Sequence, residues 1–507
     1  MKNDLDVLIV HPNASGKVYQ SLSKDFSAIE PPIWAGMIAN YLKLKGLTVD
    51  LLDCEAYRLS VPEAVAQIKS KSPRIVCTVV YGQQPSASTQ NMVGSMLLND
   101  ALKDSNFVRA YIGAHPSALP ERTIQDDPEV VVCKGEGVKT LEVLARLSTP
   151  SDRTEYAKIP GLAYMENGQV KVNTSVPIIQ NLDSELPGVD WSLFDLSRYR
   201  TSNWHSWTNS AQTQPFASIY TSLGCPFKCT FCMINSPFNE GNIKNNTFRY
   251  WSPEHIIKQF DYFAANGVTN VKIADEMFVY RPDHFMKLCD LIIKRGHKFN
   301  IWAYARIDTV REQYLKTLKQ AGVNWLGLGI ESASKEVRFE VTKGKFQDTN
   351  IQDIVKKIQA NGICTTGNYI FGLPTDTYES MRATLNLAIS LKTEYVNFYS
   401  AMAYPGSQLH REFSKSNPQI LPEYPGNPGW IGYSQHSYEC FPLPTQHLKN
   451  WEVLKFRDAA FLEYFNNTEC VDTAAKTLGA VYKTEITRML AATNNTALPR
   501  KIVELNS

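Results

Sequence analysis

Short apolar runs alternate with helix-length amphipathic stretches along most of this chain. Asp6-Val7-Leu8-Ile9-Val10 has the β-branched content of a buried strand. From Pro31 to Gly46, prolines at the start, an apolar stripe of Trp34, Met37, Ile38, Tyr41 and Leu42, and a closing glycine predict a helix. Further strands are expected near 49–52, 75–80, 108–112 and 130–133, with helical segments between them. Five strands alternating with helices predict a parallel, doubly wound sheet over residues 1–150. Ligands on such sheets bind beyond the carboxyl ends of the strands. Those ends carry His11-Pro12-Asn13, Tyr81-Gly82-Gln83, Gly113-Ala114-His115-Pro116 and Lys134-Gly135-Glu136-Gly137. No GxGxxG opens the first helix, so a dinucleotide is not implied.

The alternation pauses between 151 and 212. There Gly161-Leu162-Ala163-Tyr164 and Val170-Lys171-Val172 flank an Asn-Gly turn, which predicts a hairpin followed by an extended linker. It resumes from 213 to 405, with strands expected near 217–222, 270–274, 300–303, 325–329, 366–371 and 395–400, and a helix at 253–267. Six strand–helix units predict a partial (β/α)6 barrel with its chemistry at the strand C-termini. From 406 to 507, prolines interleaved with Tyr424, Trp430, Tyr433, Tyr438 and Phe441 give way to helical segments near 447–465 and 471–490. This region is expected to cap the barrel mouth and contribute substrate contacts, with packing the main role of its tyrosines and of Cys440.

Composition narrows the class. A chain of 507 residues exceeds one core and implies two or three domains. A formal net charge of +2, with no dense Lys/Arg run, disfavours nucleic acid as a partner. Met1-Lys2-Asn3-Asp4 runs straight into a strand, so no leader is read, and no apolar run approaches bilayer length. The ten cysteines lack the pattern of a small secreted domain.

Candidate chemistry concentrates in Gly224-Cys225-Pro226-Phe227-Lys228-Cys229-Thr230-Phe231-Cys232. Three thiols within eight residues can converge on one metal centre. Four would close a structural site, whereas three leave a corner open for a substrate or cofactor. A zinc knuckle would want a fourth ligand, and no Cys or His lies between Cys232 and His255. Three unrelated core cysteines are the remaining alternative.

This spacing, with Phe231 before the third cysteine, resembles the CxxxCxxC signature of the radical S-adenosylmethionine (SAM) superfamily. Ala274-Asp275-Glu276, Tyr304-Ala305-Arg306-Ile307-Asp308, Gly329-Ile330-Glu331-Ser332, Ile370-Phe371-Gly372-Leu373-Pro374 and Tyr404-Pro405-Gly406-Ser407 resemble later superfamily motifs, in order. The resemblance implies a [4Fe–4S] cluster on Cys225, Cys229 and Cys232. It also implies Glu276 at the SAM amino group, Arg306 at its carboxylate and Phe231 near adenine, with Glu331 and Ser332 near the ribose or sulfonium. Such a cluster needs a reducing compartment, so cytoplasmic location is expected, with a flavodoxin or ferredoxin as electron donor.

A doubly wound domain directly before such a barrel resembles the cobalamin-binding (B12) branch of the superfamily. The Pro-Pro helix start and the two glycine-containing loops support this. The resemblance implies cobalamin contacts at Gly82, Gln83, Gly113, His115, Gly135, Glu136 and Gly137. The domain lacks an Asp-x-His-x-x-Gly loop, so no imidazole is expected on cobalt. His115 is read as a loop anchor or corrin contact, and a vestigial domain without cobalamin is the alternative. The branch acts on lipids, tetrapyrroles, natural products and peptides. The implied activity is methylation of an unactivated carbon of a small-molecule, lipid or natural-product substrate, with cobalamin-assisted cyclisation or ring rearrangement as the alternative. Cys54, Cys77 and Cys133 lie in or beside strands as core thiols, which argues against the second cluster of a methylthiotransferase. A non-enzymatic cobalamin-binding protein would not need the cysteine loop with Glu276 and Arg306.

Overall fold

Strand β1 (Leu5–His11) sends Val7 and Ile9 into one apolar cluster and Leu8 and Val10 into another, so both its faces are covered. The apolar run without alternation follows from that two-sided burial. The computed structural model describes residues 5–82, 87–202, 213–239, 247–342, 350–492 and 496–506. β2 (Val49–Asp53), β3 (Pro73–Val80), β4 (Val108–Gly113) and β5 (Val131–Cys133) join β1 in a parallel sheet ordered β2-β1-β3-β4-β5. The order reverses between β1 and β3, which opens a crevice at their carboxyl ends.

The expected hairpin forms as β6 (Leu162–Glu166) and β7 (Gln169–Val172), with Asn167 and Gly168 both left-handed at the turn. It pairs antiparallel with β5, extending the first sheet to seven strands. The segment after it wraps helix Ile33–Leu44, which is therefore buried almost all round rather than along one stripe. Gly36 is needed there, because a Cβ would meet Val189 and Phe194 at 2.8 Å.

β8 (Phe216–Ile219), β9 (Ser222–Gly224), β10 (Phe248–Tyr250), β11 (Asn270–Ile273), β12 (Asn300–Arg306), β13 (Val323–Glu331), β14 (Cys364–Phe371) and β15 (Tyr395–Ser400) follow. Six of them form a parallel sheet ordered β8-β11-β12-β13-β14-β15, alternating with helices such as Pro253–Ala265 and Tyr378–Leu391. Among the described residues β8 and β15 do not pair, so the barrel is partial, as the alternation predicts. β9 and β10 form a separate antiparallel pair at its mouth.

The C-terminal region covers the open edge. The Gln435 side chain accepts from Ser400 N at 3.0 Å and donates to Ser400 O at 2.8 Å, taking the place of a neighbouring strand at the end of β15. The helical stretch expected at 471–490 is two helices, Thr468–Leu478 and Ala480–Ala491. Gly479 divides them at φ 79° and ψ −175°, a backbone a side chain disfavours.

Candidate functional site

Gly224 launches the cysteine loop. Its φ is 88°, and a Cβ there would lie 2.2 Å from Thr247 O, so only glycine allows β9 and β10 to approach. Asn235 then clamps the loop reciprocally. Its Oδ1 accepts from Cys225 N at 3.1 Å and its Nδ2 donates to Cys225 O at 2.8 Å. Thr230 N donates to Val341 O, and Leu409 N donates to Thr230 O, tying the loop to both barrel and cap. Cys225, Cys229 and Cys232 thus line one wall of a cavity of about 290 Å³ at the barrel mouth, with Phe231 beside them. Burial pushes the thiols of Cys225 and Cys229 up to about 12, and it raises that of Cys232 as well.

Glu276, Arg306 and Glu331 face the same cavity from the ends of three neighbouring strands. Asp275 turns the other way, where it accepts from Thr221 N and from the hydroxyls of Thr221 and Ser222 at 2.5–2.6 Å. That fixes the β8–β9 corner and frees Glu276 for the cavity. Glu331 has φ 65°, and the β13–β14 register shifts between Gly329 and Glu331. A left-handed glutamate at a bulge is the kind of local strain that functional sites carry. Burial pushes both carboxyls up to about 7. Lys272 opposes the shift at Glu276, and Arg306 opposes it at Glu331. Arg306 Nε donates to Asp308 Oδ1 at 2.5 Å, and its Nη2 donates to the other carboxylate oxygen.

Ser332 is not brought to the cavity. It is fully buried, 3.2 Å from Thr384 Oγ1 and accepting from Ser334 N, because the turn at Glu331 sends the next side chain toward helix Tyr378–Leu391.

A second cavity of about 150 Å³ lies at the β1–β3 crevice, between the first sheet and the barrel. His11, Glu55 and Asn91 come from the sheet side, and Lys272 and Tyr220 from the barrel. A narrow third cavity of about 30 Å³ shares Trp34, Tyr81, Gly82 and Tyr220 with the second, and Ile234 and Glu276 with the first. Gly82 lines the second and third cavities, while Gln83 lies outside the described residues.

The other expected cobalamin residues are engaged in packing. His115 Nδ1 is 3.2 Å from Thr89 Oγ1, its ring sits edge-on to Trp430, and burial pushes its pKa down to about 3. Glu136 is buried, pairs with Arg249 at 2.8 Å and accepts from Ile179 N, so it joins the domains. Gly113 packs against Val80, and Gly137 against Ile112. Gly135 O accepts from Tyr81 Oη at 3.3 Å, which places this loop at the rim of the crevice.

Among the described residues, no three His, Cys, Asp or Glu side chains converge closely enough to hold a single ion. Three neutral thiols spread along a cavity wall fit the corners of a cluster better than a lone zinc. On the corrinoid side, Nδ1 of His11 is buried without a hydrogen-bond partner among the described residues, at a crevice wide enough to be wet. Both sets of residues therefore fit the groups the sequence implies.

Asn235, the His11–Glu55 pair and the Lys272–Glu30 contact are absent from the sequence-level site. Lys272, between Val271 and Ile273, reads as the solvent face of a strand. A charged residue in a strand that must be covered on both sides was the available signal.

Residues 219–388 match the family model of the radical SAM superfamily, and residues 23–145 match that of the B12 binding domain. An uncharacterized methyltransferase of Pyrococcus horikoshii is 28% identical over 77% of this chain and 80% of its own length. An anaerobic magnesium-protoporphyrin IX monomethyl ester cyclase of Rubrivivax gelatinosus is 26% identical over 80% of this chain and 69% of its own. Among solved structures, the radical SAM methyltransferase TsrM of Kitasatospora setae, with tryptophan substrate and aza-SAM bound, covers 96% of this chain and 98% of its own. Its TM-score is 0.65 at 18% identity. The cobalamin-dependent SAM radical enzyme OxsB, with aqua-cobalamin and SAM bound, covers 99% of this chain and 74% of its own, with TM-score 0.65 at 16% identity. These structures share the fold described above. The radical SAM match brings with it a [4Fe–4S] cluster and SAM, and the B12-binding match brings cobalamin.

Proposed function

We propose that this radical SAM protein, whose barrel follows a B12-binding domain, methylates an unactivated carbon of a small-molecule, lipid or natural-product substrate. What supports the reading is the adjacency of the three cavities, whose linings share Trp34, Tyr81, Tyr220 and Glu276 and set a thiol-lined site beside a sheet-end crevice. When bound, cluster-held SAM supplies a one-electron cleavage to a hydrogen-abstracting radical, and the corrinoid supplies a carrier for a second SAM's methyl.

The chain's own residues do the positioning. Cys225, Cys229 and Cys232 would hold the cluster. Glu276 receives the SAM amino group, and Arg306 meets the carboxylate with a planar guanidinium. Phe231 takes the adenine side, and Glu331 lies toward the ribose. Gly82 and the loop around Gly135 approach the corrinoid. The cap from 406 onward closes the mouth over Tyr399, Met402 and Tyr404. A flavodoxin- or ferredoxin-type donor in the cytoplasm supplies the electron. No helix among the described residues is long and apolar enough to cross a membrane.

The test is turnover with SAM carrying a deuterated methyl group. Labelled product, with S-adenosylhomocysteine and 5′-deoxyadenosine in comparable amounts, is the expected result. Conversion with 5′-deoxyadenosine but without label or S-adenosylhomocysteine would instead establish a cyclisation or rearrangement. The relative of Rubrivivax gelatinosus that is named a cyclase keeps this second reading in view. A non-enzymatic corrinoid binder would leave Glu276, Arg306 and three cysteines in one cavity without a task.

A further inference from the structure

β1 ends at His11, on the strand where the sheet order reverses, and its imidazole lines the crevice between the two domains. The ring is only 6% exposed. Its Nε2 is 3.3 Å from Glu55 Oε2. The position of Glu55 is itself built: Asp53 Oδ1 accepts from the backbone N–H groups of Glu55 and Ala56, each at 3.1 Å, while Tyr199 Oη donates to Asp53 Oδ2 at 2.9 Å. His11 O meanwhile accepts from Cys54 N at 2.9 Å.

The carboxylate therefore fixes the ring, and Nδ1 remains buried with no partner among the described residues. A buried, unpaired ring nitrogen carries a desolvation cost that nothing among the described residues offsets, and it is tolerated where a ligand completes it. His115, the other strand-end histidine, has no such opening, since Thr89 and Trp430 occupy its ring.

The far wall says what kind of group fits. Glu30 accepts from Lys272 Nζ at 2.9 and 3.1 Å and from Ser218 Oγ at 3.0 Å, so the barrel-side cation is already matched. Glu55 is matched by His11. The described wall thus offers no cation beyond the paired Lys272 and the His11 ring held by Glu55, and it favours a neutral hydrogen-bonding group over a phosphate.

Resting on the cofactor reading above, we propose that His11, oriented by Glu55, contacts the corrinoid through Nδ1 and recognises an amide or hydroxyl of its periphery rather than the metal. Two sources carry that chemistry: the amide side chains of the corrin ring and the ribose of the nucleotide tail.

The experiment measures binding of aquocobalamin and of cobinamide, which lacks the tail, to the cluster-loaded full chain and to its His11→Ala variant. SAM affinity and melting temperature serve as controls for folding. His11→Ala is expected to weaken cobalamin binding about tenfold, the scale of one hydrogen bond at a buried site. Glu55→Gln, which still accepts from Nε2, is expected to lose less. An equal loss for cobinamide assigns the contact to a ring amide, and a loss confined to cobalamin assigns it to the tail.

Unchanged affinity for both corrinoids in His11→Ala overturns the inference while leaving the cofactor reading intact. A wild-type protein that binds neither corrinoid overturns the cofactor reading, and the inference with it. Nitrogen superhyperfine splitting in the cob(II)alamin spectrum that vanishes in His11→Ala also overturns it, since His11 would then ligate cobalt. If His11→Ala does not fold, His11→Gln, which keeps a donor to Glu55 at the Nε2 position and removes the group at Nδ1, carries the same comparison.

Discussion

The guanidinium of Arg306 lies 3.6 Å from the centroid of Phe227, so the end of β12 stacks on the cysteine loop two residues after Cys225. The same guanidinium pairs through two nitrogens with Asp308. Stack and fork together hold one orientation of a side chain that is 8% exposed at the cavity. A planar, preorganised cation beside three thiols suits a carboxylate chelating the open corner of a cluster.

Substitution of Arg306 tests that role. Arg306→Ala is expected to weaken SAM binding by about 1.5–3 kcal/mol, the scale of a hydrogen bond to a charged group. Arg306→Lys should recover only part of it, since an ammonium neither stacks flat nor donates from a fork. Equilibrium binding of SAM to the cluster-loaded variants reads both. Wild-type affinity in Arg306→Ala would move the carboxylate contact elsewhere.

The cysteine loop makes a second prediction. Anaerobic reconstitution should load about four irons at this site, and Cys229→Ala should abolish that loading. Because burial pushes the free thiols of Cys225 and Cys229 up to about 12, both should alkylate slowly at neutral pH in the metal-free protein. Metal loading must then release protons, measurable in weakly buffered solution. Rapid alkylation of both at pH 7 would contradict the burial argument.

Much of this was legible in the linear order of residues, for identifiable reasons. Three cysteines within eight residues must share a loop in any fold. Strand ends after apolar runs locate Glu276, Arg306 and Glu331 at one rim, because parallel strands all end on the same side. Ser332 was misplaced because a left-handed turn at Glu331 breaks the alternation that would have settled its direction. His115 drew attention through its glycine-flanked loop, yet its burial against Trp430 depends on a residue more than three hundred positions away. His11 ends β1 and Glu55 lies in the turn after the neighbouring β2, 44 residues apart. No local pattern joins them, so their pairing became visible only in three dimensions.

The raised carboxyls make stability depend on pH. Glu276 and Glu331 rise from the ordinary carboxyl value of 4.5 to about 7 when folded. Between those values the folded state holds more protons than the unfolded one. Their contribution is therefore fully present below about 4.5 and is lost as pH rises through about 7. The melting temperature of the ligand-free protein should fall across this window, and Glu276→Gln with Glu331→Gln should flatten the fall. Binding of the SAM ammonium should pull the Glu276 carboxyl back toward its charged form. SAM binding near pH 6.5 (about half a unit below the folded value) should accordingly release protons, read by calorimetry in buffers of different ionisation enthalpy.

The contact between Glu30 and Lys272 joins the domains from within the barrel. Lys272 is 3% exposed, sits 5.8 and 5.6 Å from the ring centroids of Trp302 and Tyr304, and has Glu30 of the first domain as its carboxylate partner. Removing one member of such a pair leaves the other charge buried and uncompensated, at about 3–5 kcal/mol. Glu30→Gln is expected near the lower end, since the amide oxygen still accepts from Lys272. Glu30→Ala is expected higher. Replacing both, as Glu30→Gln with Lys272→Met, should regain most of the loss, because a methionine against Trp302 and Tyr304 needs no counter-ion. Denaturant unfolding of the single and double variants measures the cycle. Strict additivity would mean that the two side chains do not depend on each other.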